Sequence, residues 1–76
     1  MSRASVLFDA LTGQPTTTSD LYDRVGYPAL TRMGLIPYHA FRDELAKLSA
    51  AGLAHHDDAP DGSTVWWRDD DAAPPV

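Results

Sequence analysis

The sequence predicts an α+β domain, helices first and a two-stranded β-hairpin last. Three observations carry this. Residues 36–53 hold the clearest helical pattern, with Phe41, Leu45 and Leu48 at i, i+4 and i+7 stacked on one face. Two shorter helical patterns precede it, closed by Gly13 and Gly26. After it, two short strand-like runs flank turn chemistry built on Pro60 and Asp61-Gly62.

The first helix is expected over residues 3–12. Ser2 serves as N-cap. Ala4, Leu7, Ala10 and Leu11 form the inner face, widened by Val6 and Phe8. Gln14-Pro15-Thr16 is then a short extended link, and Pro15 confines any strand there to a sheet edge.

The second helix starts at Thr17 or Thr18, in a run of capping residues. Asp20 in its first turn complements the helix dipole. Leu21 and Val25 face inward with Tyr22 beside them, and Gly26 stops it. In residues 27–36, Pro28 opens a short extra helix, Leu30 and Met33 share a face, and Gly34 closes it.

The main helix takes Pro37 into its first turn, where the missing N–H has no partner to lose. Gly52 ends it and Leu53 folds back as the apolar contact. Its other face carries His39, Asp43, Ala46 and Ala50, with Arg42 and Lys47 on the flanks.

Residues 54–56 form one hairpin strand, residues 57–63 the turn and residues 64–68 the return strand. Adjacent tryptophans point to opposite faces. The expectation is Val65 and Trp67 inward and Trp66 exposed, which makes Trp66 a candidate interaction residue.

The chain has 76 residues, one domain's worth, expected over 1–68. Residues 69–76, acidic and then Ala- and Pro-rich, are expected to be a disordered tail. At this size folding buries only about 60% of the unfolded surface. No cysteine is present, which excludes disulfides and thiolate metal sites. No apolar run approaches the ~20 residues of a membrane span. Met1-Ser2-Arg3 leads into an amphipathic pattern rather than a signal sequence, so a soluble cytoplasmic protein is expected. Scarce Lys, Ile and Asn beside abundant Ala, Asp, Arg and Thr fit a GC-rich genome, such as that of an actinobacterium, one of its phages or a halophilic archaeon.

His55-His56-Asp57-Asp58 offers four potential metal ligands, but in a strand they alternate sides and do not converge. The aspartates at 69–71 lack the glycine and distal glutamate of a calcium loop. No nucleophile–base pair and no glycine-rich phosphate cradle is visible. The reading is a non-enzyme without cofactor or metal.

Phe41, then leucines at 45 and 48, then Gly52-Leu53, resembles the third, recognition helix of winged helix-turn-helix proteins. The segment SDLYDRVGY resembles the first helix of a helix-turn-helix, and residues 54–68 resemble a wing. The resemblance covers roughly residues 3–68 and implies a three-helix core plus a short inserted helix and a two-stranded wing. A tiny first strand beside the wing is common in that family. The long connection 27–36 departs from it. The implied function is sequence-specific double-stranded DNA binding by a small transcriptional regulator.

On that resemblance the recognition helix presents Tyr38, His39, Arg42, Asp43 and Lys47 to DNA. His39 would donate to a base or a phosphate, and Arg42 would take guanine or phosphate. Lys47 would meet phosphate, together with Arg24, Arg32 or Arg68. Asp43 would accept from cytosine, or would mark a face that meets protein. One helix offers few contacts, so a homodimer is expected, paired through helix one or residues 27–36. The net charge of −5 opposes a nucleic-acid partner. The alternative is therefore a protein-interaction module that does not bind DNA, docking through the same helix or through Trp66.

Overall fold

The chain folds as four helices against a three-stranded antiparallel sheet, an α+β arrangement. The structure is a computed structural model and describes residues 3–71. The elements are α1 (Arg3–Ala10), β1 (Thr16–Thr17), α2 (Thr18–Val25), α3 (Tyr27–Met33), α4 (Tyr38–Ala50), β2 (His55–Asp58) and β3 (Thr64–Trp67). Residues 72–76, the Ala- and Pro-rich part of the expected tail, lie outside the described residues.

Periodicity sets the core. Phe41, Leu45 and Leu48 of α4 are buried with Leu7, Leu11, Leu21, Leu30 and Leu35 in one cluster. Tyr22 fixes where α4 begins. Its hydroxyl donates to the Ile36 carbonyl, and its ring meets Phe41 edge-on at 5.2 Å between centroids.

The helix boundaries follow from their caps. Thr17 precedes α2, and its hydroxyl accepts from the Asp20 N–H at 3.2 Å. α3 is the short extra helix that Pro28 and Gly34 marked. Gly34 and Gly52 take positive φ, 70° and 79°. Each lets the next leucine reach back: Leu35 N–H to the Leu30 carbonyl at 2.9 Å, and Leu53 N–H to the Leu48 carbonyl at 3.0 Å. A side chain with a Cβ resists that left-handed backbone, so glycine stands at both stops. Pro37 is the cap residue before α4 rather than part of its first turn.

α1 ends at Ala10, two residues before the expected stop. Arginines from elsewhere bind the carbonyls at its end. Arg68 Nε donates to the Phe8 and Leu11 carbonyls at 3.0 and 2.9 Å. Arg24 Nη1 donates to the Ala10 carbonyl at 2.7 Å.

The sheet runs β1-β3-β2. The expected two-stranded hairpin therefore gains a third strand, Thr16–Thr17, after Pro15 at the edge. β2 and β3 pair with His55 opposite Trp67 and Asp58 opposite Thr64. β2 extends to Asp58, so the turn is shorter than the sequence suggested.

The tryptophan facing is the reverse of the expectation. Trp66 is 3% exposed and Thr64 is buried beside it, while Val65 and Trp67 are half-buried. Hydrogen bonding accounts for it. Trp66 Nε1 donates to Thr18 Oγ1 at 2.8 Å, and Thr64 Oγ1 donates to Asp58 at 3.1 Å. With both satisfied, the Thr64–Trp66 face can be buried without stranding a polar group. Trp66 is therefore a core residue and is not presented to a partner.

Candidate functional site

α4 lays five of the expected contact residues along one exposed surface: Tyr38, His39, Arg42, Asp43 and Lys47. Two open clefts separate this helix from its neighbours. A cleft of about 260 Å³ lies between the start of α2, the start of α4 and the hairpin turn, lined by Ser19, Tyr38, Arg42, Ser63 and Thr64 among others. The second, about 480 Å³, is lined by Arg42, Ala46 and Ser49 of α4 and by His56, Asp58 and Trp66 of the hairpin. Arg42 lines both, so its guanidinium stands where helix, hairpin and α2 meet.

Arg42 has no ion pair or hydrogen bond among the described residues. Lys47 pairs with Glu44 at 3.2 Å, and Arg3 of α1 holds the same carboxylate oxygen at 3.3 Å. The Lys47 side chain is 73% exposed, so its pair is weak and exchangeable. The Tyr38 ring leans on Tyr22 at 5.6 Å, and its hydroxyl shares a hydrogen bond with Ser19 at 3.2 Å. That contact ties the first turns of α2 and α4 together. His39 and Asp43 are exposed beside Arg42.

The remaining candidates lie elsewhere. Arg24 and Arg68 are engaged at the end of α1, and the Arg68 guanidinium also covers the Phe8 ring at 4.7 Å. Arg68 is half-buried, with its Nε engaged by the Phe8 and Leu11 carbonyls. Arg32 lines a separate groove with Val6, Ala29 and Met33.

The hairpin flank is acidic. Asp57, Asp58 and Asp61 are all exposed. Hydrogen bonds from the Ser63 hydroxyl and then the Ser63 N–H hold the Asp61 carboxyl below its usual range, so it stays ionised to lower pH than a free aspartate. Ser49 Oγ and His56 Nδ1 share a hydrogen bond at 2.8 Å, which joins the end of α4 to β2. His55 instead turns to Asp69, donating through Nε2 at 3.2 Å. The two histidines thus diverge, and no group of three or more metal-binding side chains gathers among the described residues.

Sequence reading missed the hydroxyls of Ser19 and Ser63 at the first cleft and the bridging role of Glu44. Ser19 carried a weak signal, one residue into a helix whose start was already marked by capping residues. For Glu44 the i,i+3 spacing to Lys47 was a local signal, whereas its second partner, Arg3, is distant in sequence. No helix among the described residues is long and apolar enough to cross a membrane. The chain matches no protein-family model, no curated protein and no solved structure.

Proposed function

We propose that the protein is a winged helix-turn-helix protein that binds double-stranded DNA through α4, as a small transcriptional regulator. The observation that carries this reading is the outer face of α4. It presents an unpaired arginine with His39 and an exchangeable Lys47 along one exposed helix. A helix of that kind fits the major groove, where Arg reads guanine or grips phosphate. The element order supports it too: helix, short strand, two helices, α4, then a hairpin whose second strand sits between the other two. The acidic tip faces a phosphate backbone unfavourably, so the hairpin is assigned to orienting α4 rather than gripping the duplex.

Electrophoretic shifts with random-sequence and selected duplexes, at low and physiological salt, test this. Binding at low salt, with a selected sequence retained at higher salt, is the expected result. No shift even at low salt removes the reading.

The second reading is a protein-interaction module. The acidic hairpin flank and the net charge of −5 favour it. With Trp66 buried, α4 is the docking face left to that reading, and Tyr38 on it is 46% exposed.

A further inference from the structure

The cleft between the start of α2, the start of α4 and the hairpin turn holds an uneven set of hydrogen-bonding groups. No carboxylate is among the described residues that line it, in a chain where acids outnumber bases 11 to 6. Its hydroxyl protons can be traced. Thr18 donates to the Thr64 carbonyl, Ser63 to Asp61 and Thr64 to Asp58, so those protons are spent. Ser19 and Tyr38 share a single hydrogen bond at 3.2 Å, which uses one hydroxyl proton and leaves the other. Thr17 accepts from the Asp20 N–H, and its own proton has no acceptor among the described residues. The Arg42 guanidinium adds a fork of N–H donors, none of them engaged among the described residues. The capacity left over in the cleft is donors and one positive charge.

We propose that this cleft binds a phosphate group. Spare donors beside a guanidinium match an anion with several acceptor oxygens. A planar carboxylate can be satisfied by the Arg42 fork alone. A tetrahedral phosphate has further oxygens, which take the spare proton of the Ser19–Tyr38 pair and that of Thr17. A cation would meet the guanidinium with no lining carboxylate to offset it, and an apolar group would leave the donors unpaired. Asp61 adjoins the cleft through its bonds to Ser63, and its charge keeps the affinity modest. The phosphate can belong to the backbone of a duplex or to a small phosphorylated molecule, so the site does not rest on the DNA reading.

Amide NMR of the isotope-labelled full chain, titrated with inorganic phosphate at constant ionic strength, tests this. Saturable shifts confined to residues 17–19, 38–42 and 62–64, and to the Arg42 side-chain N–H, are expected. Chloride and acetate at the same ionic strength should give much weaker shifts. Arg42→Ala should raise the phosphate dissociation constant about tenfold or more, with the fold intact because the side chain is exposed. Ser19→Ala or Tyr38→Phe alone frees the remaining hydroxyl to donate, so each should bind nearly as the parent does. The two together remove that donor and should weaken binding several-fold. Shifts that never saturate, that scatter over Arg3, Arg24 and Arg32, or that acetate reproduces overturn the proposal. So does parent-like binding by Arg42→Ala or by the double variant. A short duplex then identifies the source. Displacement of phosphate from these residues assigns the cleft to the DNA backbone, and phosphate retained beside a bound duplex assigns it to a small phosphorylated molecule. A chain that binds phosphate here but no duplex loses the DNA reading and keeps the site, so the two fail separately.

Discussion

The indole N–H of Trp66 donates to the hydroxyl of Thr18, 48 residues earlier in the chain, and that hydroxyl donates in turn to the Thr64 carbonyl at 3.4 Å. The first residue of α2 is thereby held to the middle strand of the sheet. Thr18→Val keeps the shape but leaves a buried indole donor without its acceptor. It should cost about 1–3 kcal/mol of stability. Urea unfolding followed by circular dichroism reads this, and an unchanged midpoint would show that the bond contributes nothing. In a double-mutant cycle Thr18→Val and Trp66→Phe should be non-additive, because they remove the same bond.

Leu45 is 1% exposed at the centre of the α4 face that meets the core. Leu45→Ala should cost roughly 2–5 kcal/mol. A domain of this size holds only about 5 kcal/mol in reserve, so the variant should be largely unfolded at physiological temperature. Thermal melting provides the check, and a parent-like melt contradicts the core assignment.

Arg68 and Arg42 separate structural from binding roles. Arg68→Met retains much of the apolar stem but loses the charged hydrogen bonds to Phe8 and Leu11. A loss of about 1.5–3 kcal/mol is expected, with DNA affinity of the folded fraction unchanged. Arg42→Ala should do the opposite: little change in stability, since it makes no internal bond, and a loss of about 1–3 kcal/mol in specific DNA binding. Denaturation and binding titrations on both variants give the four numbers needed. If Arg68→Met binds DNA more weakly than its folded fraction explains, its assignment to the α1 end is incomplete.

Salt dependence distinguishes the neighbours on α4. Lys47→Ala should weaken binding to all sequences alike and lower the slope of log affinity against log salt by about one. Asp43→Ala should tighten binding to every duplex if the carboxylate only opposes phosphate. It should reduce discrimination at one base pair if Asp43 accepts from cytosine. Titrations of selected and scrambled duplexes at several salt concentrations resolve these outcomes.

The helices were legible because their signals are local. The 41/45/48 spacing and the glycines at 26, 34 and 52 act within a turn or two of where they stand. The facing of the tryptophans was not legible. Alternation fixes only that they oppose each other, and the acceptor that draws Trp66 inward belongs to α2. The internal partners of Arg24 and Arg68 were not legible for a related reason. Arg24 and Arg68 look like any surface cations in sequence, and only the approach of α1 supplies the carbonyls they bind. Arg42 was legible as a candidate because helical spacing alone places it on the outer face.

The end of α1 gives the chain an order of assembly. Isolated helices of eight residues do not hold in water. Here the carbonyls at the end of the first helix are bound by a guanidinium 60 residues downstream from Phe8. The end of α1 therefore lacks a main partner until Arg68 has joined it and the hairpin has closed. Within this chain α1 is therefore secured together with the hairpin rather than ahead of it.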